Sequence, residues 1–125
     1  MGVKAETSLQ KRIQNLIIKR GGYVNKNWGN MTSKPGISDL TCCYKGYYIS
    51  IEVKEDKGEP SMAQGIHCRK IWHCGGMAFI VWSVEEVKKV LDMIDRLDVE
   101  RMNIGLMVKS LLKFDSNYVD DGTRW

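Results

Sequence analysis

Asp39-Leu40-Thr41-Cys42-Cys43-Tyr44-Lys45-Gly46-Tyr47-Tyr48-Ile49-Ser50-Ile51-Glu52-Val53-Lys54 is the stretch on which the fold turns. Both halves are strand-like, and the Lys45-Gly46 pair between them has the length of a tight antiparallel hairpin turn. Residues 39–44 and 47–54 are therefore predicted to be two paired strands. Side chains alternate across a strand, so Glu52 and Lys54 project from one face while Ile49, Ile51 and Val53 project from the other. Asp39 opens the partner strand just after the Lys34-Pro35-Gly36 turn, where a hairpin can bring it beside Glu52. Two carboxylates would then converge with one lysine. Hard divalent cations such as Mg²⁺ take oxygen ligands, typically one or two carboxylates plus waters and substrate phosphate oxygens, which is what this cluster offers. An isolated Glu-x-Lys on a strand also occurs as a plain exposed ion pair, so the triplet needs its surroundings.

Upstream of the hairpin, Leu9, Ile13, Leu16 and Ile17 recur at helical spacing within residues 6–20, with Lys11, Arg12, Lys19 and Arg20 on other faces. Gly21-Gly22 ends that helix, residues 23–28 read as a short strand, and residues 29–36 form a polar loop. Downstream, the turn-rich Glu55 to Pro60 gives way to a helix that Ser61 can cap and Gly75-Gly76 closes. Cys68, Ile71 and Trp72 share a stripe assigned to the core. Residues 77–82 are a buried strand, and Ser83 caps a last helix whose inner stripe is Val84, Val87, Val90, Leu91 and Ile94. The order is helix, three strands, helix, strand, helix.

At 125 residues and 43% hydrophobic content the chain has the size and composition of one folded domain. Residues 1–98 are expected to form its core and residues 99–125 a C-terminal extension. In that extension Ile104, Leu106, Met107, Val108, Leu111 and Leu112 either pack on the core or join a second copy. No apolar run reaches the 18 to 20 residues of a membrane span, and no hydrophobic leader precedes the first helix, so a soluble protein of the cytoplasm is expected. The four cysteines, two of them adjacent, read as reduced thiols, and Cys42, Cys43, His67, Cys68, His73 and Cys74 lack the spacing of a structural zinc site. The net charge of +4 is unevenly placed: residues 1–36 hold seven Lys/Arg against Glu6 alone, and residues 37–125 hold twelve against fourteen acids. A basic arm of this kind suits a polyanion, or is a solvated helix face.

Gly36-Ile37-Ser38-Asp39-Leu40, then Glu52 and Lys54 thirteen and fifteen positions after Asp39, then a Gly58 turn and Gln64 opening a helix, together resemble the PD-(D/E)XK nuclease superfamily. The resemblance is to its virus-type replication-repair nuclease (VRR-NUC) branch. It covers about residues 6–94 and implies an α/β fold with a PD-(D/E)XK-type core: helix, three-stranded antiparallel meander, helix, strand, helix, on a mixed central sheet. Carried over position by position, Asp39 and Glu52 look like metal-binding carboxylates, Lys54 like the lysine that orients or activates the attacking water, and Gln64 like the glutamine that opens the following helix. Glu6 matches the acidic residue of the first helix, and the Val53 carbonyl is a further candidate ligand. Ser38 stands where the superfamily's name puts proline. Gln64 is also placed to complete a capping box with Ser61, and the two roles are compatible.

The resemblance implies a nuclease that uses Mg²⁺ or Mn²⁺ to hydrolyse DNA phosphodiesters. Small stand-alone members look like dimeric junction-cleaving enzymes of phages and bacteria. The expectation is accordingly a homodimeric endonuclease of the Holliday-junction or flap type, in a bacterial or phage-infected cell. A sequence-specific or general DNA nuclease and a non-catalytic nucleic-acid-binding module remain alternatives. Lys11, Arg12, Lys19, Arg20, Lys26, Lys34 and Lys70 are the candidate phosphate contacts, with Tyr23 and Trp28 available for stacking and His67 near Lys70.

Overall fold

The computed structural model describes residues 2–28, 36–55 and 57–97, with side chains described from residue 8 onward. Helix α1 (Gly2–Lys19) is followed by strands β1 (Tyr23–Lys26), β2 (Leu40–Tyr44) and β3 (Tyr47–Val53), helix α2 (Met62–His73), strand β4 (Met77–Val81) and helix α3 (Val84–Asp95). The expected fold class is the observed one. The sheet order is β1-β2-β3-β4, antiparallel through the first three strands, and β4 runs parallel to β3 after the α2 crossover.

The hairpin sets the register. Tyr44 pairs with Tyr47, and Lys45 and Gly46 both have positive φ, 50° and 85°. That is the signature of a two-residue type I′ turn, whose twist matches that of the flanking strands. Leu40 then faces Ile51, which leaves Asp39 one residue ahead of β2 and close to the end of β3.

One face of the sheet carries α1 and α3. Leu9, Ile13 and Ile17 meet Leu40, Cys42, Tyr44, Ile49, Ile51 and Val53, and Val87, Leu91 and Ile94 complete the core. The other face carries α2, which rests on β3 and β4. Tyr48, Ser50 and Glu52 lie on that side by strand alternation.

Three differences from the sequence reading have physical causes. Helix α1 starts four residues early, at Gly2: its apolar stripe begins only at Leu9, so periodicity gives no sign of the first turn. Trp72 is 54% exposed and outside the core, since only Cys68 of α2 is fully buried. Trp72 sits about 40° round the helix from it, and its indole N–H donates to the Ala78 carbonyl at the rim of the sheet (3.0 Å). Arg20 is committed within the fold: its guanidinium binds Asp92 (2.8 Å) and Asp95 (2.5 Å), joining the end of α1 to α3. The expected extension, residues 99–125, lies outside the described residues, as do Lys34 and the apolar run from Ile104 to Leu112.

Asp95 also accepts from Tyr44 Oη and pairs with Lys45 Nζ, each at 2.7 Å, so four groups tie α1, α3 and the hairpin together. Its carboxyl is held far below the ordinary range, first by Lys45 and then by Tyr44, with Arg20 adding to them. A depressed carboxyl stabilises the fold above its unfolded value of 3.8 and loses that contribution as pH falls through its folded value. Asp95→Asn should therefore lower stability at neutral pH by about 1 kcal/mol, a figure kept small because the network is partly exposed. The difference from wild type should shrink in strong acid, as thermal melts across pH will read.

Candidate metal and phosphate site

The two carboxylates predicted from sequence are brought together where β2 begins and β3 ends. Asp39 is half-buried, and its Oδ2 accepts from the Val53 N–H at 2.8 Å, which fixes the carboxylate against the last residue of β3. Its main chain is also held: Asn27 N–H donates to the Asp39 carbonyl (2.7 Å) and Asn27 Nδ2 to the Ser38 carbonyl (3.0 Å) and to Thr41 Oγ1 (2.7 Å). Ser38 Oγ meets Ser50 Oγ in the sheet, both side chains being buried. The position that would be a proline in the superfamily's motif is thus tied to β3 by a hydroxyl pair.

Gly36 makes the approach to α2 possible. It has φ +86°, and a Cβ there would lie 2.4 Å from the Ala63 carbonyl oxygen and 3.0 Å from Gln64 N. Only glycine lets the strand leading to Asp39 lie against the first turn of α2. Ser61 caps that turn: its Oγ accepts from Gln64 N (3.1 Å) while Gln64 Oε1 accepts from Ser61 N (2.9 Å). The same Gln64 donates through Nε2 to Glu52 Oε2. One side chain therefore performs both roles open to it, closing the capping box with its oxygen and holding a carboxylate with its nitrogen.

Glu52 is 4% exposed, and its second oxygen, Oε1, has no hydrogen-bond partner. Burial pushes this carboxyl up to about 8, a hydrogen bond that its protonated form gains with Asp39 and the charge of Asp39 add to the rise, and the Lys54 ammonium opposes it. A buried carboxylate oxygen without a donor costs free energy, and a cation beside it removes that cost. Among the described residues no three His, Cys, Asp or Glu side chains come together. An ion here would be held by Asp39 and Glu52, a pair that suits a hard cation keeping several waters. The residues present fit Mg²⁺ or Mn²⁺. The Val53 main chain is beside the pair through its N–H to Asp39. The side chain of Glu6 lies outside the described residues.

Lys54 is half-buried just past β3, its stem packed against the turn at Gly58, where a Cβ would lie 3.3 Å from Lys54 Cβ and Cδ. Cys68, buried on α2, lies near this pair, its thiol raised by burial and by the charge of Glu52, while the β2 cysteines stay apart from it. Cys42 faces the α1 and α3 side, where burial raises its thiol to about 12, and Cys43 is exposed on the opposite face. Of the basic candidates, Lys11, Arg12, Lys19 and Lys70 are exposed, and Lys26 stacks over the Trp28 ring at 4.5 Å. Asn27 and Ser50 were not among the sequence candidates. Ser50 is two residues before Glu52 on a strand, so the period of two that placed Glu52 also marks it; Asn27 carries no such signal.

A four-stranded mixed sheet with α1 and α3 on one face and α2 on the other defines a class of fold, and a solved structure described as a VRR_NUC domain shares that fold. The two are 26% identical with a TM-score of 0.58, over 70% of this chain and 94% of that one. The chain has a VRR-NUC fold, with a PD-(D/E)XK-like core. No protein-family model and no curated protein matches it.

The raised Glu52 carboxyl sets a pH dependence of definite sign. Between its ordinary 4.5 and about 8 the folded chain keeps a proton that the unfolded chain has lost, so the metal-free protein loses stability as pH rises through that window. Glu52→Gln should flatten that slope and raise the stability of the metal-free protein at pH 8, on the order of a few kcal/mol. Mg²⁺ must displace the same proton, so calorimetry in buffers of different ionisation enthalpy should find about one proton released near pH 7 and tighter binding up to pH 8.

Proposed function

We propose that this chain is a divalent-metal-dependent nuclease that hydrolyses DNA phosphodiesters. The observation that carries the reading is Glu52: a buried carboxyl with one oxygen held by Gln64 and the other without a partner, beside Asp39 and within the field of Lys54. The VRR-NUC fold supports it. Bound Mg²⁺ or Mn²⁺ would supply Lewis acidity, polarising the scissile phosphate and acidifying a water.

The chain's own residues do the rest. Asp39, clamped by Val53 and Asn27, and Glu52, held by Gln64, offer oxygens that need no reorganisation when substrate arrives. Glu6 and the Val53 carbonyl are further candidate ligands. Lys54 places a positive charge where phosphate oxygens gain negative charge as phosphorus becomes five-coordinate, or it holds the attacking hydroxide. Lys11, Arg12 and Lys19 on the exposed face of α1, with Lys26 beside Trp28, grip flanking phosphates. We further infer a homodimer acting on branched DNA of the Holliday-junction or flap type: one small domain carries a single site, and resolving a junction takes paired cuts, which a two-fold axis provides.

Four-way junction, flap, single-stranded and linear duplex DNA, each with Mg²⁺ or Mn²⁺ and then with a chelator, test the proposal. Cleavage of the branched substrates, lost on chelation, is expected. Asp39→Asn and Glu52→Gln should abolish it in folded protein, and Lys54→Ala should slow it by about a hundredfold with little change in DNA affinity. Near-wild-type cleavage by either carboxylate variant would overturn the site. Replacing Lys11, Arg12 and Lys19 together by alanine should weaken binding and flatten its dependence on salt, since fewer counterions are released.

A further inference from the structure

Strand β3 and helix α2 meet along a row that begins at the carboxylate pair and runs away from it. Glu52 takes Gln64 at the first rung. At the second, two residues back along the strand and one turn on along the helix, Ser50 Oγ lies 3.4 Å from His67 Nε2 and touches Ser38 Oγ on its other side. Past that rung the row opens into a groove lined by Tyr48, His67, Lys70, Ile71, Cys74 and Gly76. From Glu52 to Tyr48 the strand advances about 13 Å, a span of a few nucleotides.

The groove has a built floor and a charged wall. Tyr48 is 47% exposed, and its ring lies against Gly76, where a Cβ would come within 3.3 Å of Tyr48 Cδ1 and 2.8 Å of Ile71 Cγ2. The missing side chain at Gly76 leaves room for the Tyr48 ring, which packs there and stays about half exposed. Lys70 is exposed in the wall and forms no ion pair among the described residues, and burial together with the Lys70 charge lowers the pKa of the half-buried His67. An anchored aromatic face with an unpaired lysine one wall away is the pairing that holds an unstacked base and its phosphate. A duplex, whose bases are stacked inside, has no face to give the ring.

We propose that this groove takes a single strand of nucleic acid, a base on Tyr48 and a phosphate on Lys70 and His67, and leads it to or from the carboxylate pair. The proposal rests on the nuclease reading for what happens at the pair, and it adds that the strand reaching that point along β3 is unpaired. Ser38 and Ser50 tie the middle of the path to the segment that carries Asp39.

Fluorescence anisotropy with a labelled oligothymidylate strand and with a blunt duplex, both in Ca²⁺, tests this. Tyr48→Ala should weaken strand binding about tenfold and leave the duplex unchanged, Tyr48→Phe should bind as wild type, and Lys70→Ala should weaken the strand and lower its salt dependence. A thermal melt verifies that Tyr48→Ala is folded; if it is not, Lys70→Ala alone decides. Strand binding within twofold of wild type in folded Tyr48→Ala and in Lys70→Ala, or equal losses on strand and duplex in Tyr48→Ala, would overturn the groove. Wild-type protein that binds the strand through Tyr48 yet cleaves no DNA with Mg²⁺ or Mn²⁺ would leave the groove standing and overturn the nuclease reading.

Discussion

Glu52 is buried beside Asp39 with one oxygen left without a hydrogen-bond partner, and much of the surrounding structure serves to hold it and its neighbour in that condition. A lone buried carboxylate would simply take up a proton and become inert. Here its pKa is raised only to about 8, since Lys54 offsets part of what burial and Asp39 impose. The group is therefore poised to exchange its proton for a cation at physiological pH. Asp39 cannot swing away to relieve the crowding, because the Val53 N–H and Asn27 hold it on both its side chain and its main chain. Asp39 is thus held by the backbone N–H of Val53 and by Asn27, and Glu52 by the Gln64 side chain of α2.

That arrangement follows from sheet geometry. The two-residue turn at Lys45-Gly46 fixes the β2–β3 register, the register puts Asp39 level with the end of β3, and alternation sends Glu52 to the α2 side. A one-residue slip would turn Glu52 into the apolar layer of Ile13 and Leu91. The Asp95 network at the opposite end of the hairpin guards against this by holding Tyr44 and Lys45 to α1 and α3.

Much of this was legible in the sequence for identifiable reasons. The hairpin, the caps at Ser61 and Ser83 and the stripe of α3 rest on short-range rules, and each lies where those rules put it. The meeting of Asp39 with Glu52 was legible because a tight turn converts sequence spacing into distance. What stayed hidden depends on contacts between elements far apart in the chain. Nothing local distinguishes Arg20, bound to α3, from Lys19, which is exposed one residue earlier. Trp72 looked like core by hydrophobicity, while its place at the rim is set by how little of α2 the sheet covers. Gly36 reads as a turn residue, and its need is steric, imposed by a helix twenty-seven positions away at Ala63.

The most direct measurement is a crystal structure of the protein grown with Mn²⁺ and phased on the anomalous signal of the ion. The account predicts one strong peak at coordination distance from an Asp39 oxygen and from Glu52 Oε1, with Gln64 still donating to Glu52 Oε2. A site left without an ion at saturating Mn²⁺, or a peak held by other side chains while Glu52 stays protonated, would contradict it.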